Sequence, residues 1–295
     1  MQFDLHSLPL EQGQRQMLPA DISSLEGYPQ THEQTVLAAV FMCGLGEIRI
    51  AHPPNTFAIT PASLIALEAI ARNKQLLSGK GLDWGSGTGC LAIAAARIPT
   101  VKQVIGLEIA EANVAAARRN AISNGVDAKT AFLLSDSYSP LAPSDSALLN
   151  AFAGQTDFIL ANPPASDGDD GFGWRRRVLS GARNFLRHRG YVFLNVSSQY
   201  GRRRLEALCE EIPGFAYGGV LASTDWVPFD LRRDDLFQCL RQYAVEETRG
   251  GLEYTFNEPG EKQDARTNAR AALAHFDRTG ESPLMKWQTY LFEMK

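Results

Sequence analysis

From Gly81 onward the chain alternates short apolar runs with longer amphipathic segments, and this alternation limits the possible folds more than any other feature. Residues 80–84, 101–110, 128–136, 157–164 and 190–197 read as strands, with a glycine-interrupted strand over 216–224. Between them, residues 89–98, 111–125, 175–190 and 202–212 carry helical spacing, with glycine stops at Gly125 and Gly190. Strands that alternate with helices build a mostly parallel sheet covered on both faces. In such a sheet, ligands bind at the carboxyl ends of the strands.

Outside this region the pattern is less regular. Residues 31–46 read as a helix ending at Gly44 or Gly46, followed by an alternating strand over 47–51. A proline-punctuated loop over 52–63 leads into a helix over 62–74. Residues 230–283 are more polar and carry two candidate helices, and residues 286–295 read as a terminal strand. The chain has no repeat and no apolar run long enough to span a membrane. Its first residues lack the basic and apolar regions of a secretory signal. The four cysteines, Cys43, Cys90, Cys209 and Cys239, are widely spaced, so reduced thiols in a cytoplasmic protein are expected, with no metal site. A net charge of −4 argues against a general nucleic-acid coat, though not against a local basic site.

The first strand of the alternating region runs into Gly85, Gly87 and Gly89, followed by an alanine-rich helix. Glycines at a strand–helix turn permit positive φ and let a ligand approach the backbone. Asp83 lies two residues upstream, and Glu108 ends the next strand, where an acid can bind both hydroxyls of a ribose. The spacing is G-x-G-x-G, and Cys90 stands where the dinucleotide fingerprint needs glycine, which disfavours a nicotinamide oxidoreductase.

These residues resemble the class I S-adenosylmethionine-dependent methyltransferases, over about Thr60 to Phe229 plus the last strand. The resemblance implies a Rossmann-like seven-stranded sheet, mostly parallel with an antiparallel last strand. It implies S-adenosyl-L-methionine as cofactor and S-adenosyl-L-homocysteine as product. Asp83, Gly85, Gly87 and Gly89 would hold the methionine part, Glu108 the ribose, and Asp136 would lie near the adenine. Thr60 would contact the cofactor from the preceding segment, and a surface helix cap is the alternative for Asp136.

The strand over 157–161 ends in Asn162-Pro163-Pro164. Two prolines end a strand, because they donate no N–H and fix φ. This run resembles the N-P-P-[YF] motif of amino methyltransferases, including HemK-type release-factor glutamine methyltransferases and RsmC-like rRNA guanine methyltransferases. An amide or base nitrogen is a poor nucleophile because its lone pair is delocalised. The Asn162 side-chain oxygen and the Pro163 carbonyl would each accept an N–H, orient the nitrogen and stabilise its developing positive charge. Pro164 makes the turn rigid. Ala165 stands where the family carries an aromatic ring that stacks on a planar target, and Phe172 or Trp174 would supply that ring instead. A non-catalytic cofactor-binding partner would have no need of this motif.

Between Gly171 and Leu205 there are nine arginines and no acid. Arg187 and Arg189 would stabilise a helix C-terminus. Arg175–Arg177 and Arg202–Arg204 follow the carboxyl ends of strands, so they would bind substrate phosphates or carboxylates, form a solvated helix face, or pair with Asp167, Asp169 and Asp170. The expected organisation is an N-terminal extension (1–59), a methyltransferase core (60–229), a helical insertion (230–283) and a terminal strand of the core (284–295). The insertion would cap the site, with Trp226 and Phe229 at its base, or serve as an oligomerisation arm. The acceptor class stays open among a protein amide such as glutamine, an rRNA base and a small-molecule amine.

Overall fold

The computed structural model describes residues 33–56, 58–164, 170–260 and 265–295. In chain order the elements are β1 (Gln34–Leu37), β2 (Ile48–Ala51), α1 (Pro61–Arg72), β3 (Gly79–Trp84), α2 (Cys90–Ala96), β4 (Val101–Glu108), α3 (Glu111–Ser123), β5 (Thr130–Asp136), β6 (Ser139–Pro140) and α4 (Pro143–Asn150). Then follow β7 (Thr156–Ala161), α5 (Gly173–Phe185), β8 (Leu186–Asn195), α6 (Gly201–Glu211), β9 (Phe215–Ser223), β10 (Val227–Pro228), α7 (Asp234–Thr248), β11 (Phe256–Asn257), β12 (Arg266–Thr267), α8 (Ala269–Thr279), β13 (Leu284–Met285) and β14 (Gln288–Met294).

The main sheet has the order β6-β5-β4-β3-β7-β8-β14-β9. Strands β3, β4, β5, β7 and β8 are mutually parallel, and β14 lies antiparallel between β8 and β9. This is the expected mostly parallel sheet with an antiparallel last strand. It has an eighth member because the two-residue β6 folds back on the edge of β5. The strand order reverses between β3 and β7, so a crevice opens beyond their carboxyl ends.

Alternate residues of each strand feed two cores, as a period of two requires. On one face Val104, Phe132, Phe158, Leu160 and Phe193 pack with α1, α2 and α3. On the other, Leu82, Trp84, Ile105, Leu107, Ile159 and Leu194 pack with α5, α6 and residues of 230–283.

Two helix expectations are corrected. The described part of residues 31–46 is not a helix: β1 pairs antiparallel with β2. Thr35 and Leu37 are buried while Gln34 is exposed, a strand alternation, and the positive φ of Cys43, Gly44 and Gly46 breaks any helix across the connection. Asn120 in the last turn of α3 and Asn124 at its C-cap bind the outer edge of β2: Asn120 pairs with both backbone groups of Ala51 and Asn124 with both of Arg49. The second helix stops at Phe185, not Gly190. Leu186 is extended and opens β8, and Arg189 has φ +64° at a break in the β7–β8 register. Arg187 and Arg189 therefore sit at the start of a strand, paired with Asp157 (2.6 Å) and Glu293 (3.5 Å) respectively.

The long connection over 230–283 holds α7 and α8, packed on each other, and its β11 and β12 join the flanking β10 and β13 in a small sheet, in the order β10-β13-β11-β12, that sequence periodicity did not reveal. Leu240, Tyr243, Tyr254, Phe256 and Ala272 share one buried cluster with Phe172, Tyr200, Phe229 and Leu231. Arg204 of α6 is buried under this layer. It pairs with Glu246 and donates to the carbonyls of Leu252 (2.7 Å) and Glu253 (3.1 Å), with its guanidinium 3.8 Å from the Tyr254 ring centre.

Candidate functional site

Four parallel strands deliver polar groups to one edge. β3 ends beside Gly85, β4 ends at Glu108, β5 ends at Asp136, and β7 ends immediately before Asn162. The turn after β3 is tied down by its own backbone, since the N–H groups of Gly85 and Ser86 both donate to the Leu107 carbonyl. Gly85 has φ +67° and no heavy atom within 4 Å of where a Cβ would stand, so the turn is open on that side. Gly89 has φ +90°, and a Cβ there would meet Ala117 and the Phe132 ring at 3.0 Å, so glycine lets α2 start against the next layer.

Glu108 is buried, and its carboxylate shapes the turn directly: Oε2 accepts from Gly87 N–H (2.8 Å) and Oε1 from Ala110 N–H (2.9 Å). Asp83 is fully buried, with Oδ2 accepting from Ala92 N–H at 2.9 Å. Its Oδ1 has no hydrogen-bond partner among the described residues, nor has the buried Ser86 Oγ. Burial pushes the Asp83 carboxyl up to about 7, opposed by the Ala92 hydrogen bond and reinforced by the Glu108 charge. Orphaned polar atoms beside an open glycine turn fit a polar, cationic ligand such as the methionine end of S-adenosylmethionine.

Thr60 is the N-cap of α1. Its Oγ1 accepts from Ser63 N–H at 3.2 Å, and Ser63 Oγ in turn accepts from Thr60 N–H at 3.3 Å. Asp136 accepts from Arg177 Nη2 at 2.8 Å at an exposed position. Arg177 also lies over the Trp174 ring, which tilts against Trp84 at 6.0 Å between centres.

Asn162 is held at both ends of its amide. Its Oδ1 accepts from Asn195 Nδ2 at 3.0 Å, and its Nδ2 donates to Ser63 Oγ at 3.2 Å. Arg175 braces the following turn from inside: Nη1 donates to the carbonyls of Pro164 (3.2 Å) and Gly171 (2.8 Å), and Nη2 to that of Pro163 (3.5 Å). Arg175 is buried, as is Phe172, whose ring meets Tyr200 edge-on at 4.9 Å. Trp226 is half-buried, with Lys286 Nζ 4.5 Å from its ring centre. Ala165, Asp167 and Asp169 lie outside the described residues.

The other arginines are largely paired with acids. Arg176 binds Asp170 through both guanidinium nitrogens (2.7 Å each) and also Glu211; Arg202 pairs with Glu206, and Arg204 with Glu246. The Arg176 contacts hold the Asp170 carboxyl below the usual range despite its partial burial. No cluster of three or more His, Cys, Asp and Glu residues able to hold a metal occurs among the described residues, and none of their helices is long and apolar enough to cross a membrane.

Residues 47–213 match the family model described as "Methyltransferase small domain", more than half of the chain. The chain belongs to this methyltransferase family. The match runs from β2 to the end of α6, so it takes in the glycine turn, Glu108 and Asn162-Pro163-Pro164. Among curated relatives, the chain is 26% identical over 151 residues to a release factor glutamine methyltransferase of Thermodesulfovibrio yellowstonii, covering 46% of this chain and 54% of that protein. It is 30% identical over 143 residues to the ribosomal RNA small subunit methyltransferase C of Idiomarina loihiensis, covering 48% and 37%. The chain thus spans about half the length, or less, of the curated relatives it matches. A methyltransferase structure from Pyrococcus furiosus aligns with a TM-score of 0.45 at 16% identity, covering 83% of this chain and 88% of that one.

The buried amide behind Asn162, Asn195, was not among the residues singled out from sequence. Its only signal there is a polar residue at the end of an apolar strand, which does not reveal the partner.

Proposed function

We propose that this chain transfers a methyl group from S-adenosylmethionine to nitrogen, with the side-chain amide of a protein glutamine as acceptor. The observation that carries the reading is Asn162 at the carboxyl end of β7, next to the turn that follows β3. Its oxygen is held by one donor and keeps one lone pair for an incoming N–H. When bound, S-adenosylmethionine supplies the electrophilic methyl. Gly85, Gly87, Glu108 and the free oxygen of Asp83 are the groups that would hold it. Asn162 Oδ1 would accept a proton-bearing N–H of the acceptor, aim its lone pair at the methyl and stabilise the charge that develops on nitrogen. The Pro163 carbonyl would assist as second acceptor, in a turn kept rigid by Arg175.

Residues 230–283 would cap the acceptor side of this edge. The arginine pairings favour a glutamine side chain over a folded RNA, because much of the positive charge near the site is already met by protein carboxylates. The ribosomal RNA relative supports a base nitrogen as the second reading. Incubation with methyl-labelled cofactor separates the two. Mass spectrometry of an unmethylated release factor should find one added methyl on a glutamine, with no label in small-subunit ribosomal RNA. Label in the RNA alone would overturn the acceptor assignment, and label in neither, with no cofactor bound, would overturn the activity.

A further inference from the structure

We propose that Asn195 is a positioning residue for methyl transfer: it determines which end of the Asn162 amide faces the acceptor, a role that rests on the reading of Asn162 given above. Asn195 is the last residue of β8, beside the end of β7 and paired across to Thr289 of β14. It is buried, and every hydrogen-bonding atom of its side chain is used. Asn195 Nδ2 donates to the Ala62 carbonyl at 2.5 Å and to Asn162 Oδ1 at 3.0 Å, and Asn195 Oδ1 accepts from the Thr289 hydroxyl at 2.5 Å.

Polarity runs in one direction through this set. A backbone carbonyl only accepts, so Ala62 fixes the nitrogen end of Asn195. The second N–H of that nitrogen then requires an acceptor at Asn162, so Asn162 turns its oxygen towards Asn195 and its nitrogen towards Ser63. Ser63 does not impose this orientation by itself, because a hydroxyl donates as readily as it accepts. If Asn162 turned over, Ser63 would be satisfied equally well, but the site would present an N–H to the acceptor's N–H. Two donors would then face each other and the stabilising contact would be lost. Ala62 and Ser63 lie in the first turn of α1, which Thr60 caps, so the start of that helix, β7, β8 and β14 together set the polarity of one side chain.

The test compares Asn195→Asp with Asn162→Ala. The aspartate has nearly the same shape but offers no N–H, so it places a carboxylate oxygen against both Ala62 and Asn162 and forces Asn162 to turn over. With a release factor as acceptor, Asn195→Asp should lose kcat on the order of 10²–10³, as Asn162→Ala does, while KM and S-adenosylhomocysteine affinity stay unchanged. A second readout needs no acceptor. In ¹H–¹⁵N spectra of the free protein, the Asn162 side-chain amide pair, assigned by its absence in Asn162→Ala, should shift in Asn195→Asp. Should the buried charge prevent folding, Asn195→Leu carries both readouts, with a smaller loss of kcat because both orientations of Asn162 become populated. A slow Asn162→Ala beside an Asn195 variant at wild-type kcat would overturn the positioning role and leave the proposed function standing. An unmoved Asn162 amide signal would overturn it whatever the activities. Full turnover in Asn162→Ala would instead overturn the reading beneath it.

Discussion

Glu108→Ala probes the turn and the cofactor site together. In the free protein the Glu108 carboxylate accepts two backbone N–H groups, from Gly87 at 2.8 Å and Ala110 at 2.9 Å, at a position only 5% exposed. Hydrogen bonds to a charged group contribute about 1.5–3 kcal/mol each, and two that share one carboxylate do not add fully. Ala110 is also the N-cap of α3 and has no side-chain cap of its own, so a negative charge there adds a few tenths of a kcal/mol through the helix dipole. The substitution should therefore cost about 2–4 kcal/mol of stability with no ligand present. Loss of the ribose contact should weaken S-adenosylhomocysteine binding by about 1.5–3 kcal/mol, on the order of 10–150-fold. Urea denaturation without ligand reads the first quantity, and titration calorimetry on the folded variant reads the second. Glu108→Gln is the control: it keeps one acceptor but turns an N–H towards Gly87 or Ala110, so it should fall between the two in stability. Unchanged urea stability would refute the hydrogen-bonded turn. Unchanged affinity would refute the ribose assignment even if the turn is right.

Three other outcomes are expected. Arg204→Ala leaves Glu246 and two carbonyls without their buried partner, so urea denaturation should register a loss of about 3 kcal/mol; less than about 1 kcal/mol would mean the pair does not fasten residues 230–283 to α6. The Asp83 carboxyl titrates near 7 when folded and near 3.8 when unfolded, so its contribution is most favourable below 3.8 and declines as pH rises through 7. Asp83→Asn removes this decline, and without cofactor its stability relative to wild type should rise by about 2–3 kcal/mol between pH 5 and pH 8; a constant difference would place the titration elsewhere. Replacing 230–283 with a short turn should keep S-adenosylhomocysteine binding and abolish methyl transfer, whereas retained turnover with a changed oligomeric state by light scattering would identify an oligomerisation arm.

The sheet was legible in the sequence where local chemistry was unambiguous. β3, β4, β5 and β7 are apolar runs ended by glycine, acid or proline, and the last strand lies where its alternation placed it. The misreadings came from segments whose local signals conflict. Residues 33–46 mix Thr and Val with alanines that favour helix, and pairing with β2, itself held along its other edge by Asn120, decided for strand. Residues 186–189 continue the arginine spacing of α5, but Arg187 and Arg189 have acidic partners on β7 and β14 that only the folded sheet supplies. In the candidate site, the glycine turn and Asn162-Pro163-Pro164 stand out in the sequence because each is written in consecutive residues. Asn195, Ser63 and Arg175 act through partners distant in sequence or through backbone carbonyls, which spacing along the chain does not encode.

In the proposed reaction Asn162 acts on the reacting nitrogen and not on the cofactor. Steady-state kinetics of Asn162→Ala, paired with calorimetry of S-adenosylhomocysteine, tests it most directly. A kcat lower by about 10²–10³ with cofactor affinity unchanged is expected, because the lost contact forms fully only as charge develops on the acceptor. Wild-type kcat in Asn162→Ala would contradict it.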